Sequence, residues 1–443
     1  MNNILKKIGP RERTGLHAIL FIIVLLLVSM ILEGCIDTCE TKNVYAYYEP
    51  VYTSLEDLRS AVKSEEPRNL KQLGKLYLKD NYIYINEPGE GLHVINNQNP
   101  SNPINISFIN IPGNFSLSAK GNFLYVDSYV DLVVLDISNP ESIKEVNRLD
   151  EIFSDYNSYG FYIDSELGVV TDWKLVENVE VYESDCDQLF PNYREGILYD
   201  NVGGYALASG TKISASAPST SAGIGGSMAT FTIYDNYLYT IDQSDLTIIN
   251  ISNLSTPLVH SKEYIGWGIE TLFPYGNKLF IGANNGMYIY DNVNPADPEL
   301  LTLYQHMTSC DPVVVQGDYA YVTLRSGNTC GGFSNQLEVI NISDIVNPKL
   351  EEIYPMYNPH GLGIDGNALF ICDGQAGLKI YDASDIHALG NNLKAQYPNI
   401  HALDVIPFNN VLMMIGEDGL FQYDYTNLES IVLLSEIRTV ADN

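Results

Sequence analysis

The stretch Leu132-Val-Val-Leu-Asp-Ile-Ser-Asn-Pro140 returns in variant form along most of this chain of 443 residues. It is a short apolar strand that stops at an Asp or Asn. The side chain at that point can accept a hydrogen bond from the backbone two residues on and so turn the chain. Related segments begin at Leu92, Leu246, Met287, Leu337, Leu378 and Leu420. Such a recurrence, at a period of roughly 41 to 48 residues, predicts a repeat architecture.

Three further strands accompany this segment in each unit. A first strand ends at a turn pair that tolerates positive φ, such as Asp80-Asn81 or Gly276-Asn277, and a second strand follows at once. A proline-bearing loop such as Asn347-Pro348 leads to a fourth strand, because proline cannot donate to a sheet ladder. We therefore predict an all-β chain, a β-propeller built of four-stranded antiparallel blades.

The repeats predict eight blades, with seven as the alternative. The unit that begins near Gly160 is degenerate, and the count falls to seven if it forms no blade. The predicted blades start near Leu70, Asn114, Gly160, Met228, Ile269, Asp311, His360 and His401.

Leu132-Val-Val-Leu-Asp136 and its copies resemble the LVIVD repeat of secreted and surface-anchored bacterial proteins. The resemblance covers about residues 70–443 and rests on spacing and turn residues that agree in seven units. It implies an extracytoplasmic β-propeller, and it implies no particular reaction or ligand.

The first 67 residues have a different character. Residues 1–34 combine basic residues with the apolar run Ala18 to Leu32, which predicts a signal peptide. Leu32-Glu-Gly-Cys35 resembles a lipobox, so Cys35 is the predicted lipidation site; an uncleaved signal anchor is the alternative. Residues 35–67 are predicted to form a tether with a short helix capped by Ser54. The predicted propeller spans 68–443, with an insertion near 184–227.

Charge excludes one class of partner. The formal net charge of −31 makes nucleic-acid binding untenable, because phosphates would be repelled. We expect a lipid-anchored protein of the cell envelope, at the outer membrane or cell surface, whose membrane contact is the N-terminal anchor.

Four residues are candidates for a site at the mouth of the central channel. Glu270, Asp311, His360 and His401 each lie at or near the start of a predicted first strand. Together they could bind a divalent metal or act as an acid–base set. Their spacing shows no tight ligand pattern, so we favour the alternative that they cap turns or line a watery channel. No metal or other cofactor is predicted.

The cysteines allow a disulfide in an oxidising compartment. Cys310 and Cys330 lie in two loops predicted at one end of the same blade, and we expect them to pair, with two free thiols as the alternative. Cys372 is predicted to be a buried apolar residue, and a Cys372–His360 nucleophile pair is disfavoured.

A glycine-rich stretch and the two tryptophans are further candidates for binding. Ser219-Thr-Ser-Ala-Gly-Ile-Gly-Gly-Ser227 resembles a phosphate loop only superficially, because it lacks the lysine and a following helix; we predict a mobile surface loop. Trp173 and Trp267 could stack against a carbohydrate, but we favour core packing between blades.

The sequence is compatible with three functions. The first is a binding or scaffolding module for a protein, peptide or glycan partner outside the cytoplasm. The alternative is a polysaccharide hydrolase or lyase whose site lies at the channel mouth. A structural role in a larger envelope complex is a third reading. We favour the binding module.

Overall fold

The computed structural model describes residues 21–23, 45–153, 163–164, 166–178, 222–242, 244–306, 312–326 and 334–440. The predicted signal peptide therefore lies outside the described residues, apart from 21–23. Within these ranges, no helix has the length and apolar character needed to cross a membrane. The chain divides into two compact units, of which one holds Met1–Val51 and Trp173–Asp200 and the other holds Tyr52–Asp172 and Asn201–Asn443.

The described residues are almost entirely β-strand. The elements before and within the first two blades are β1 (Tyr45–Thr53), helix α1 (Leu55–Ser60), β2 (Lys63–Glu65), β3 (Leu76–Lys79), β4 (Tyr82–Glu87), β5 (Gly91–Asn96), β6 (Ile104–Asn110), β7 (Leu117–Lys120), β8 (Phe123–Ser128), β9 (Asp131–Asp136) and β10 (Lys144–Leu149). The strands between the second and third blades are β11 (Ile163–Asp164), β12 (Gly168–Asn178) and β13 (Ile224–Gly225).

The remaining blades follow in chain order. Their strands are β14 (Phe231–Tyr234), β15 (Tyr237–Ile241), β16 (Asp245–Asn250), β17 (Leu258–Tyr264), β18 (Ile269–Tyr275), β19 (Lys278–Ala283), β20 (Gly286–Asp291), β21 (Glu299–Gln305), β22 (Val313–Gln316), β23 (Tyr319–Leu324), β24 (Gln336–Asn341), β25 (Lys349–Pro355), β26 (Leu362–Asp365), β27 (Ala368–Cys372), β28 (Leu378–Asp382), β29 (Leu393–Tyr397), β30 (Ala402–Phe408), β31 (Val411–Gly416), β32 (Gly419–Asp424) and β33 (Val432–Arg438). A 3₁₀ helix, Ile386–Asn391, precedes β29.

Seven antiparallel meanders of four strands make up the larger unit, and we number them blades 1 to 7. Blade 1 is β3–β6, blade 2 is β7–β10, and blades 3 to 7 take the strands from β14 onward in groups of four. The first strands contact one another in the closed order β3, β7, β14, β18, β22, β26, β30 and back to β3. The meanders therefore form a ring with their first strands innermost.

The unit predicted to be the third of eight blades does not enter this ring. Its described part contributes β11 and β12 to a three-stranded sheet with β1, and β7 contacts β14 directly. Its other expected strand, near residues 179–182, lies outside the described residues. The described ring thus has seven blades, the alternative that the repeats left open, and an eighth blade is not confirmed.

The turn chemistry that defined the repeat is present in each of the seven blades. The Asp or Asn that ends the third strand accepts a hydrogen bond from the backbone two residues on, as Asp136 does from Ser138 at 2.8 Å. The other six are Asn96, Asn250, Asp291, Asn341, Asp382 and Asp424. The hairpin turn after each first strand has positive φ at Asp80, Gly121, Asp235, Gly276, Gly317, Gly366 and Asn409. Both predictions are confirmed.

The ring closes without exchanging a strand between its ends. An apolar cluster joins blade 1 to blade 7, with Leu76, Ile83 and Ile415 among its buried members. Gln422 Nε2 donates to Asn97 Oδ1 at 2.7 Å across the same seam. The N–H of Val440 donates to the carbonyl of Leu70 at 2.9 Å, which fixes the end of the described chain to its first blade.

The short helix predicted before blade 1, with Ser54 as its cap, is confirmed. Ser54 caps α1 by accepting from the Asp57 N–H at 3.1 Å. β2 then pairs with β6 and adds a fifth strand to the outer edge of blade 1.

Candidate functional site at the mouth of the ring

The channel inside the ring contains a segment of the insertion, residues 222–229, which we call the axial segment. Its β13 pairs antiparallel with β3 of blade 1, and the Gly226 N–H donates to the Leu76 carbonyl at 2.7 Å. Gly223 donates to Ala119 of blade 2 at 3.0 Å. For residues 222–227 the prediction of a mobile surface loop was wrong, because their backbone groups find partners on the innermost strands. Residues 219–221 of the predicted loop lie outside the described residues.

Glycine is required where the axial segment passes other atoms closely. A Cβ on Gly226 would lie 2.2 Å from Asp404 Oδ2, and a Cβ on Gly223 would lie 2.6 Å from the Leu78 carbonyl oxygen. A Cβ on Gly361 of blade 6 would lie 2.2 Å from Ser227 Oγ. The glycines therefore allow a backbone to fit inside the ring, which is the structural reason for the Gly-Ile-Gly-Gly sequence.

Ser227 links the axial segment to blades 6 and 7. Its N–H donates to Asp404 Oδ1 at 2.9 Å, and its hydroxyl donates to the same oxygen. The Leu362 N–H donates to Ser227 Oγ at 2.7 Å. Asp404 is completely buried, and burial raises its pKa to about 7 despite these donors.

A buried lysine, Lys75, occupies in blade 1 the position that Asp404 occupies in blade 7. Lys75 Nζ donates to Thr230 Oγ1 at 2.6 Å and to Ser116 Oγ at 3.0 Å, which ties blade 1 to the first strands of blades 3 and 2. Burial lowers the pKa of Lys75 to about 8. Burial likewise raises the pKa of Asp127 to about 6, against the hydrogen bonds it accepts from Phe115 and Ser116.

The mouth of the ring brings two of the predicted site residues together. The His360 and His401 rings are edge to face with centroids 6.0 Å apart. Arg325 Nη1 and Asn358 Nδ2 each lie 3.3 Å from His360 Nε2, and both are donors. His360 Nε2 is therefore the accepting nitrogen, and the imidazole is neutral with its proton on Nδ1.

Arg325 was missed by the sequence reasoning because it falls in a second-to-third-strand loop with no recognisable motif. Burial lowers the pKa of His360 to about 2, and the positive charge of Arg325 acts in the same direction. His401 Nδ1 lies 2.8 Å from the carboxylate oxygen Oε2 of Glu417. The arrangement keeps His360 uncharged, so it is a poor proton acceptor at neutral pH.

Of the remaining candidate site residues, only Glu270 is among the described residues. Glu270 interacts electrostatically with Arg325 and opposes the lowering of its pKa by burial. Asp311, Cys35, Cys310 and Cys330 lie outside the described residues, so the predicted lipidation site and disulfide stay predictions. Among the described residues, no three His, Cys, Asp or Glu side chains are grouped to hold a metal ion.

Cys372 is fully buried, as predicted, and burial raises the pKa of its thiol well above the usual value. A high thiol pKa opposes thiolate formation, so the Cys372–His360 nucleophile pair has no support.

The tryptophans are exposed, and the favoured prediction of core packing was wrong. Trp267 is 67% exposed on the loop that leads into β18, and Trp173 is 48% exposed on β12. Tyr357, on the loop that leads into β26, is 60% exposed. Trp267 and Tyr357 thus lie at the same end of the ring as His360, because each precedes a first strand.

We predict that His360 stays neutral from pH 8 down to pH 4, because burial and Arg325 oppose its protonation. His387 provides the internal control, since its hydrogen bond with Glu352 raises its pKa above the ordinary value. Imidazole NMR titration, with assignments from His→Gln variants, checks this. A His360 midpoint near 6.5 would contradict the enclosed geometry.

Comparison with known proteins agrees with this fold. The LVIVD repeat model matches residues 74–110, 115–151, 225–262 and 309–355. A search of curated protein sequences returns no significant match. The third matched segment begins at Gly225, in the axial segment, which places the start of that repeat inside the channel.

Solved structures are similar at low sequence identity. The periplasmic gluconolactonase PpgL of Pseudomonas aeruginosa aligns with a TM-score of 0.50 and 10% identity over 84% of this chain and 98% of its own. BamB from Moraxella catarrhalis aligns with a TM-score of 0.46 and 7% identity over 85% of this chain and 97% of its own. At 10% identity the likeness to PpgL concerns the fold alone. The chain thus contains four segments that match the LVIVD repeat, and its described residues have a β-propeller fold.

Proposed function

We propose that this protein is a binding or scaffolding module that presents the mouth end of its propeller to a protein, peptide or glycan partner. The observation that carries the proposal is the exposure of Trp267 and Tyr357 on loops that lead into first strands. Large aromatic side chains supply contact area at binding faces, and loops on a rigid scaffold are the usual place for them.

The geometry below these loops supports binding rather than catalysis. The axial segment fills the channel, so the mouth has backbone and buried side chains beneath it. His360 is held neutral by burial and by Arg325, and His401 is engaged by Glu417. The alternative, a polysaccharide hydrolase or lyase, would need an acid–base pair with accessible protons, which His360 does not offer.

We further propose that the module works outside the cytoplasm, anchored by a lipid on Cys35. This part of the proposal rests on the sequence of residues 1–35 and on the resemblance of Leu32-Glu-Gly-Cys35 to a lipobox. The acidic composition of the chain agrees with a soluble body held beside a membrane by a tether, because anionic headgroups repel it.

Site-specific photo-crosslinking tests the binding face. With p-benzoylphenylalanine at position 267, in the cells that produce the protein, we expect a discrete crosslinked product. Val293 is the matched control, since it has the same 67% exposure but lies in a loop at the opposite end of the ring. Equal crosslinking from positions 267 and 293, or none from either, would contradict the proposal.

Metabolic labelling with a fatty acid tests the anchor. We expect Cys35→Ser to abolish labelling and to move the protein from the membrane fraction to the soluble fraction. Cys39→Ser, four residues further on, should leave both unchanged. Retention of the label in Cys35→Ser would show that the lipid is on another residue, and an unlabelled wild type would show that no lipid is attached.

A further inference from the structure

The two oxygens of the Asp404 carboxylate differ in their hydrogen bonding. Its Oδ1 accepts from the Ser227 N–H and from the Val405 N–H, each at 2.9 Å, and from the Ser227 hydroxyl. Its Oδ2 is buried without any hydrogen-bond partner. A charged carboxylate with one buried oxygen unpartnered is costly, whereas burial penalises the protonated, neutral form far less.

The charged and titratable groups around Asp404 do not remove this cost. Lys75 of blade 1 interacts with Asp404 through space, and its Nζ hydrogen-bonds to Ser116 and Thr230. Cys372 of blade 6 stays a neutral thiol in the presence of Asp404. Asp127 of blade 2 competes for the charge of Lys75. The axial segment contributes the hydroxyl and N–H of Ser227 and no charge.

The same residues link the axial segment to most of the ring. It contacts blade 1 through Gly226, blade 2 through Gly223, and blades 6 and 7 through Ser227. Ala229 accepts from the Leu272 N–H of blade 4 at 3.1 Å. Beyond it the chain passes directly into β14 of blade 3. A weakening at Asp404 therefore acts on a segment that contacts most blades of the described ring.

We propose that residues 222–229 are a pH-sensitive latch, which fills the channel while Asp404 is protonated and is held more weakly once Asp404 is charged. Release of this latch opens the mouth into the channel and frees the inner edge of β3, to which β13 is paired. An opened channel with a free strand edge can accept another extended chain, whereas the latched channel cannot.

The direction of the pH effect follows from the raised pKa of Asp404. The pKa of Asp404 is about 7 in the folded ring and near the ordinary 3.8 when the latch is released into water. The stabilisation is therefore complete below about pH 4 and is lost as the pH rises through about 7. His360, with its pKa of about 2, does not titrate in this window.

Amide hydrogen exchange of the purified protein, read by mass spectrometry at pH 5 and pH 8 and corrected for intrinsic rates, tests the latch. We expect protection of residues 222–229 to fall by about tenfold or more between the two pH values. Strand β31, in the middle of blade 7, should keep its protection. In Asp404→Asn, the change in protection of 222–229 between the two pH values should be at least several-fold smaller, because only Asp127 and Lys75 then titrate nearby.

Asp424→Asn is the matched control. Asp424 lies in the same blade but is only partly buried, its pKa is held low by the Thr426 N–H, and Asn already serves at this position in other blades. This variant should behave as the wild type. Unchanged protection of 222–229 from pH 5 to pH 8, an equal loss in β31, or an undiminished pH dependence in Asp404→Asn would each overturn the latch.

Discussion

Backbone hydrogen bonding inside the ring is the constraint on which the rest of this structure depends. A ring of meanders presents the open edges of its innermost strands to the channel, and those edges carry N–H and C=O groups that need partners. Here part of that demand is met by the axial segment, which pairs with β3 and donates to blade 2. The need for a backbone to fit among first strands explains Gly223 and Gly226, where a methyl group would collide with neighbouring atoms.

The polar side chains buried around the axial segment have shifted pKa values. Asp404, Asp127 and Lys75 are buried together, and burial moves each pKa toward neutrality. These three groups lie where blades meet, whereas Asp136 and Asp424, whose pKa values are depressed, lie at the turns that end third strands. Acid–base behaviour in this protein is a property of the seams between blades. It does not require an open catalytic pocket.

The fold was predictable from the sequence because its signals are local. The Asx residue after each third strand and the positive-φ residue in each hairpin determine a blade within a single repeat, and both recur seven times. The number of blades was harder to predict, because the described strands of the degenerate unit keep part of the pattern but pair in a sheet with β1. Ring closure depends on contacts between residues far apart in the sequence, such as Gln422 with Asn97 and Val440 with Leu70, which no local signal reveals.

The site was predictable only in part, for the same reason. First-strand starts are local features, so His360 and His401 were correctly expected near one another. Arg325, which determines the charge state of His360, lies in a loop without a motif. The glycine-rich sequence at 223–226 was taken for a surface loop because close packing and mobility both favour glycine, and only the partners of its backbone distinguish the two.

The most direct test of the axial segment compares two neighbouring glycines. Gly226→Ala places a methyl group against Asp404, whereas on Gly225 the nearest atom would be the Ala229 side chain at 3.2 Å. We predict that urea unfolding shows Gly226→Ala to be less stable by about 2 kcal/mol or more, and Gly225→Ala to change stability by less than about 1 kcal/mol. Equal stability of the two variants would show that this segment does not fill the ring.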